Sequence, residues 1–164
     1  MKKILLLSDT HGCLDEKILK YIQQADEVWH AGDIGDVSVT DQIKKIKPLR
    51  AVYGNIDGGE LRKEFPEKQL FTIEGIKVFM IHIGGYPKRY TKVAKKIIEQ
   101  YPPDLFISGH SHILKVMYDK QNQLLHMNPG AAGKKGFHKK RTMLRFKIDN
   151  QEIKDLEVIE LGNR

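Results

Sequence analysis

The chain has 164 residues and a single cysteine, Cys13, so its length fits one domain and an internal disulfide is excluded. The formal net charge of +7 favours anionic partners such as phosphates, nucleotides or nucleic acid, without choosing among them. No apolar run approaches the length of a membrane span. The apolar run Ile4–Leu7 is too short for a signal peptide. We therefore expect one cytoplasmic domain over residues 1–164 that does not enter a membrane.

The first third of the chain alternates strand-like and helix-like segments. Continuous apolar runs predict buried strands, and apolar residues at helical spacing predict amphipathic helices. The predicted strands cover residues 2–7, 27–30 and 49–53, and the predicted helices cover 14–24 and 37–47. This alternation is typical of an α/β sheet with parallel strands.

The rest of the chain is richer in strands. Gln69–Ile73 and Ile76–Ile83 predict a hairpin around Glu74-Gly75, and Thr91–Gln100 predicts a helix that ends before Pro102-Pro103. Further strands are predicted at 105–107, 113–118, 124–127, 142–148 and 153–161. We expect two sheets packed face to face with helices on the outside.

Polar side chains with metal-binding groups lie at the ends of five of these strands. They are Asp9, His11, Asp33, Asn55, His82, His110 and His112. Ligands of open α/β sheets bind beyond the carboxyl ends of the strands. Two carboxylates, one carboxamide and four imidazoles exceed the needs of one ion, but they suffice for two ions that share a carboxylate. Imidazole combined with carboxylate favours transition metals over calcium and magnesium.

In chain order these residues form the motifs Asp9-Thr10-His11, Gly32-Asp33, Gly54-Asn55, His82 and Gly109-His110-Ser111-His112. The series resembles the signature of the calcineurin-like metallophosphoesterase superfamily. The later Asn128-Pro129-Gly130 and the chain length are similar to its small single-domain prokaryotic phosphodiesterase branch. The resemblance implies a four-layer α/β/β/α sandwich with two mixed β-sheets.

The resemblance also implies a dinuclear site with Asp33 as the bridging ligand. One ion would be held by Asp9, His11, Asp33 and His112, and the other by Asp33, Asn55, His82 and His110. The implied activity is hydrolysis of phosphate esters by a metal-bound hydroxide. We expect two manganese ions, with nickel, zinc, iron and cobalt as alternatives. The expected substrate is a small phosphate ester, which could derive from a nucleotide, and the chain could form homo-oligomers.

One departure from the superfamily pattern concerns the leaving group. Many members have a histidine after Gly-Asn that is thought to protonate the leaving group, whereas this chain has Ile56. Since such a proton donor contributes about 10²- to 10⁴-fold, its absence predicts a preference for diesters with good leaving groups. His138, in the basic run Lys134–Arg141, is a speculative replacement.

Two alternatives to a phosphodiesterase stay open. The basic run Lys134–Arg141 could be a phosphate-contacting rim, which would favour a nuclease of the same superfamily, or an ordinary solvated loop. The retromer subunit with this fold provides the other alternative, a metal-binding scaffold with little activity. His30 and Asp57 are candidates for orienting the ligands, and His126 is given no role.

Overall fold

The fold consists of two five-stranded sheets stacked face to face, seen in a computed structural model that describes residues 1–164. Fifteen buried residues, among them Leu6, Trp29 and Met80, form the core between the sheets. Two further apolar clusters fill the spaces between each sheet and the helices on its outer face. The expected α/β/β/α sandwich with two mixed sheets is confirmed.

The first sheet has the strand order β12-β11-β1-β2-β3. Its strands are β1 (Lys2–Leu7), β2 (Glu27–His30), β3 (Leu49–Ala51), β11 (Lys140–Asp149) and β12 (Glu152–Asn163). The strands β1, β2 and β3 are parallel, whereas β11 is antiparallel to both of its neighbours. Leu5 and Leu7 pack toward the helices while Ile4 and Leu6 pack toward the other sheet. Burial on both faces explains why the Ile4–Leu7 part of β1 is continuously apolar instead of alternating.

The second sheet has the order β4-β5-β8-β10-β9. Its strands are β4 (Lys68–Ile73), β5 (Ile76–Ile81), β8 (Leu105–Ile107), β9 (Leu114–Asp119) and β10 (Leu124–Pro129). The predicted hairpins β4–β5 and β9–β10 are both present, and β8 lies parallel to β5 and β10. The strands β1, β2, β5 and β8 therefore all end near the same edge of the sandwich.

The three predicted helices are all present. One begins at the predicted residue, and the other two begin one or two residues later. They are α1 (Glu16–Gln24), α2 (Val37–Ile46) and α4 (Lys92–Gln100). Asp15, Asp36 and Thr91 precede them with extended backbones and accept hydrogen bonds from the first helical turn. Such caps satisfy backbone N–H groups that have no partner within the helix, so the caps fix where the helices start.

Three short elements were not predicted. They are the helix α3 (Gly59–Glu64) and the paired strands β6 (Gly85–Tyr86) and β7 (Arg89–Tyr90). The helix α3 is too short to show a helical period, and its preceding residue Gly58 provides no capping side chain. The third strand is also shorter than predicted, since β3 ends at Ala51 instead of Tyr53. None of the four helices has the length and apolar character needed to cross a bilayer.

Candidate metal centre

The seven residues predicted from the strand ends meet at one edge of the sandwich. Six of them form two clusters, and within each cluster the potential ligand atoms lie within 4.8 Å of one another. The first cluster contains Asp9, His11 and His112, and the second contains Asp33, His82 and His110. An ion bound at about 2.0–2.2 Å can contact atoms up to about twice that distance apart, so each cluster has nearly the spacing that one ion requires.

Asp33 lies between the two clusters and directs one carboxylate oxygen to each. Its Oδ2 is 3.5 Å from His11 Nε2 in the first cluster. Its Oδ1 is 3.3 Å from His82 Nε2 in the second cluster. One side chain therefore presents a negatively charged oxygen to each cluster.

Asn55 completes the second cluster through its side-chain oxygen. Asn55 Oδ1 lies 3.0 Å from His82 Nε2 and 3.0 Å from His110 Nδ1. His82 Nδ1 donates a hydrogen bond to the Ala31 carbonyl at 2.7 Å. In neutral His82 the Nε2 lone pair therefore faces two oxygens, one from Asn55 and one from Asp33. That contact requires a proton or a cation at the shared position.

Asp9 is oriented by hydrogen bonds to the oxygen that faces away from the histidines. Its Oδ2 accepts from the Ser8 hydroxyl at 2.6 Å and from the His110 backbone N–H at 3.1 Å. Its Oδ1 lies 3.1 Å from His112 Nε2. Because one oxygen is held by the protein, the other is fixed in direction toward the first cluster.

The backbone at the centre is strained in a way that local sequence does not require. Asp9, His11, Asp33, His110 and His112 all have positive φ angles, between 46° and 71°. A non-glycine residue in this region costs about 1–3 kcal/mol and is retained where the surrounding structure fixes it, often at a functional site. Five of the residues whose side chains converge therefore carry this strain, as do six positions in turns and strands elsewhere.

The glycines that precede Asn55 and His110 are required by close packing. A Cβ atom on Gly54 would collide with Oδ1 of Asp33, and one on Gly109 would collide with the Ser8 hydroxyl. The Gly-Asn and Gly-His motifs therefore have a direct physical reason. Each glycine lets a neighbouring loop approach the carboxylate side of the centre.

The carboxylates and imidazoles of the centre shift one another's pKa values in opposite directions. Burial alone would raise the pKa of Asp9, but the neighbouring imidazoles of His11 and His112 outweigh it and lower this pKa below its usual range. The nearby carboxylate of Asp9 raises the pKa of His11. Burial would lower the pKa of His82, but its contacts with Asp33 and Asp9 raise it. The negative charge of the carboxylates therefore stabilises a positive charge placed next to them.

His11 supplies a direct test of whether a metal ion fits. Its Nε2 is buried and has no hydrogen-bond partner. The nearest carboxylate oxygens, on Asp33 and Asp9, lie 3.5 and 3.8 Å away, which is too long for a strong hydrogen bond. A lone pair that points into a shared space between carboxylates has the chemistry of a metal ligand. The donor set and its geometry fit two divalent ions.

His30 and Asp57 do not contact the clusters and instead join the loops that carry them. His30 Nδ1 accepts from the Gly32 N–H at 3.1 Å, so its Nε2–H donates to the Thr10 hydroxyl at 2.9 Å. Burial lowers the pKa of His30 to about 4, which keeps it neutral. The Asp57 carboxylate accepts hydrogen bonds from the backbone N–H groups of Ile34, Gly35 and Gly54. Both residues therefore hold the loops around Asp33 and Asn55 in place.

The basic run divides into an exposed part and a structural part. Lys134, Lys135 and Lys139 are exposed, whereas Arg141 is buried in β11 and bonds to Asp15 at 2.8 Å. His138 borders the centre, because its ring lies 5.1 Å from that of His112. Arg141 is therefore not part of a phosphate-contacting rim.

The remaining predicted positions differ in their relation to the centre. The Ile56 side chain is exposed, and its backbone N–H donates to Asp33 Oδ1 at 3.1 Å. His126 is buried between Tyr86 and Phe106 and has no hydrogen-bond partner on either ring nitrogen. Ile56 thus lies beside Asp33, whereas His126 lies outside both clusters.

Three contributors to the centre were not predicted from the sequence. Ser8 donates a hydrogen bond to Asp9, and Thr10 accepts one from His30. The side-chain amide of Asn128 donates a hydrogen bond to the Gly109 carbonyl at 3.0 Å. Ser8 and Thr10 flank Asp9 in the sequence, and that position is the only signal that could have indicated them. For Asn128 the signal was its place in Asn128-Pro129-Gly130, which follows the last motif.

A four-layer sandwich with paired clusters of carboxylates and histidines at its strand ends defines a class of metal-dependent hydrolases. The calcineurin-like phosphoesterase superfamily domain matches residues 1–151. The chain belongs to this superfamily. A probable metallophosphoesterase of Methanothermobacter thermautotrophicus is 26% identical over 96% of this chain and 91% of its own length.

Solved structures show the same fold at lower identity. Vps29 of Entamoeba histolytica in complex with zinc has a TM-score of 0.73 at 17% identity, over 96% of this chain and 98% of that one. A structure described as a novel archaeal phosphodiesterase has a TM-score of 0.68 at 21% identity, over 97% and 99% of the two chains. The same fold therefore occurs in a Vps29 and in a protein described as a phosphodiesterase.

Proposed function

We propose that the protein is a dinuclear metal-dependent phosphodiesterase. The observation that carries the proposal is the position of Asp33, whose two carboxylate oxygens face the two separate clusters. In this proposal Asp9, His11, Asp33 and His112 hold one ion, and Asp33, Asn55, His82 and His110 hold the other. Bound ions supply electrostatic stabilisation of the phosphoryl group and lower the pKa of water, so that hydrolysis proceeds near neutral pH.

The protein's own residues then determine which esters react. In hydrolysis a water oxygen bonds to phosphorus while the bond from phosphorus to the leaving oxygen breaks, and a poor leaving group must also receive a proton. Ile56 provides no proton beside Asp33. Aryl diesters, whose leaving groups depart with little protonation, should therefore react faster than alkyl monoesters.

His138 does not replace the missing proton donor in the arrangement seen here. Its Nε2–H donates to the Gly133 carbonyl at 2.8 Å, and its Nδ1 is buried without a partner. Burial also lowers the pKa of His138. The nitrogen left free is therefore unprotonated, so His138 has no proton to donate to a leaving group.

Metal analysis combined with a substrate panel tests the proposal. The protein is loaded with manganese, nickel or zinc, the bound metal is counted by elemental analysis, and the same sample is assayed. The panel contains an aryl phosphodiester, an alkyl phosphomonoester and single-stranded RNA. We expect two ions per chain, manganese giving the highest activity, and hydrolysis of the aryl diester above the other two substrates.

The alternatives give different results in the same experiment. A stoichiometry that stays at or below one ion would contradict the dinuclear site. A scaffold would bind two ions and hydrolyse nothing, and a nuclease would prefer the RNA.

A further inference from the structure

A cleft of about 210 Å³ adjoins the second cluster and is not explained by metal binding. Asn55 and His82 form the wall that it shares with the centre, and Ile83 contributes apolar surface. The other wall contains Tyr53, Arg62 and Glu67. A group attached to a phosphorus atom at the second cluster would enter this space.

Arg62 is held in one orientation at the wall of the cleft. Its Nε–H donates to the Asp57 carbonyl at 2.7 Å, and Nη2 lies 3.5 Å from the Asn55 carbonyl. The guanidinium carbon is 4.6 Å from the centre of the Tyr53 ring, as in a cation–π contact. Two loop carbonyls and one ring thus orient a long side chain that would otherwise sample many rotamers.

The orientation leaves hydrogen-bonding capacity for a ligand. A guanidinium carries five N–H donors, and only those on Nε and Nη2 are directed at protein acceptors. No carboxylate lies within ion-pair distance of Arg62, although Lys44, Arg50, Arg141 and Arg145 each have such a partner. Arg62 is therefore a positioned cation with free donors beside the centre.

We propose that this cleft binds the second ester group of the substrate and that Arg62 selects groups carrying an additional carboxylate or phosphate. The inference deepens the proposed function and rests on it, since it requires a phosphoryl group at the second cluster. A planar guanidinium with free N–H groups matches the two oxygens of a carboxylate or phosphate. Tyr53 and Ile83 would contact the apolar part of the same group.

Glu67 provides an internal check, because it is the acidic side chain that lines the cleft. It forms no ion pair with Arg62. Its charge opposes an anion in the cleft, so removal of that charge should strengthen the binding that loss of Arg62 weakens. The neighbouring Lys63 is exposed on the same helix and does not line the cleft, so it serves as a matched control for a general loss of positive charge.

The experiment measures ligand binding and not turnover. The manganese-loaded wild type, Arg62→Gln, Arg62→Lys, Lys63→Gln and Glu67→Gln are titrated calorimetrically with phenylphosphonate and with its 3- and 4-carboxy derivatives. We expect the wild type to bind the better carboxy derivative about fivefold more tightly than phenylphosphonate.

The variants should change this ratio in a defined order. Arg62→Gln should lower the ratio to about one while the Kd of phenylphosphonate stays within about twofold. Arg62→Lys, which keeps the charge without the planar fork, should give an intermediate ratio. Lys63→Gln should keep the wild-type ratio, and Glu67→Gln should increase it.

Failure of the inference differs from failure of the proposed function. A wild type that binds phenylphosphonate with a ratio near one, or variants of Arg62 and Lys63 that lower the ratio equally, would overturn the role of Arg62 alone. A wild type with two manganese ions that binds no phosphonate would overturn the proposed function, and the inference with it.

Discussion

Four histidines of this protein, three of them buried and His11 half-buried, fall into two groups that differ in their neighbours. His11 and His82 face carboxylates, and those contacts raise their pKa values. His30 and His126 are buried without a carboxylate contact, and burial lowers their pKa values to about 4. Burial of a histidine therefore does not indicate a metal site by itself. The neighbouring carboxylates distinguish the candidate ligands from the structural histidines.

The largest effect should come from removing the carboxylate that the two clusters share. Asp33→Asn keeps the size of the side chain but removes its charge, so both clusters lose a ligand of full strength. We expect turnover to fall by about 10²- to 10³-fold and bound metal to fall below one ion per chain. Elemental analysis of the loaded variant, with circular dichroism to verify the fold, gives the measurement.

His112→Ala is the matched control for Asp33→Asn, because His112 belongs only to the first cluster. This variant should retain the ion of the second cluster. If Asp33→Asn retained as much metal as His112→Ala, the two clusters would not depend on a shared carboxylate.

The second group of histidines predicts a dependence of stability on pH. His126 has a pKa of about 4 when folded, against 6.5 for an unperturbed histidine. The unfolded chain therefore binds the proton at a higher pH than the folded protein does. The stabilisation is complete above pH 6.5 and is lost as the pH falls toward 4, by up to about 3 kcal/mol.

His126→Phe isolates this contribution. Phenylalanine suits the space between Tyr86 and Phe106 and cannot be protonated, so the variant should lose about 3 kcal/mol less than the wild type between pH 7 and pH 4. Urea unfolding of metal-free protein at both pH values gives the difference. Equal losses in both proteins would show that His126 is not neutral and buried in solution.

Most of the fold could be predicted because its elements follow simple periods. The apolar run Ile4–Leu7 and the helical spacing from Ile18 to Ile22 are local signals, and both elements are present. The helix α3 left no such signal, since its six residues make fewer than two turns. Its absence from the prediction also concealed Arg62, which is therefore the least predictable part of the site.

The centre could be predicted as a set of residues but not as a geometry. Carboxylates and histidines after successive strands indicated that the side chains would meet, because parallel strands end at a common edge. The left-handed backbone at Asp9, Asp33 and His112 depends on contacts between distant loops. Neither the contact of Asp33 with both clusters nor the hydrogen bonds of His30 can be obtained from spacing alone.

A variant of His30 tests the same division of the histidines with a smaller expected effect. His30 does not face a carboxylate, but it supports loops beside the centre. His30→Ala removes the hydrogen-bond partners of Gly32 N–H and the Thr10 hydroxyl. We expect metal affinity to fall about 10- to 100-fold, as is typical when a residue behind the ligands is lost. Competition with a chelator measures the affinity.

Thr10→Val is the control for His30→Ala, since it removes the hydroxyl's hydrogen bonds with His30 and the Ile34 carbonyl but keeps the hydrogen bond that Gly32 N–H donates to His30. It should cost less affinity than His30→Ala. An unchanged affinity in both variants would show that the loops keep their geometry without His30.

The smallest expected effect concerns His138, which resembles the structural histidines although it borders the centre. Its Nε2–H is used by the Gly133 carbonyl and its pKa is lowered by burial, so it should not protonate a leaving group. His138→Ala should therefore change kcat for an aryl diester and for an alkyl ester by no more than about twofold each.

Ile56→His is the complementary variant, because the backbone of residue 56 already contacts Asp33 and its side chain is exposed. An imidazole introduced there can supply the proton that His138 does not. Turnover of alkyl esters should then rise by up to about 10²-fold, whereas aryl diesters, which need little protonation, should change much less.

Suppose instead that the wild type hydrolyses both substrates equally and that His138→Ala lowers both rates together. The proton would then come from the basic loop, and a histidine with a lowered pKa and a bonded Nε2–H would still serve as the acid. The division between histidines that face carboxylates and those that do not would in that case fail to separate functional residues from structural ones.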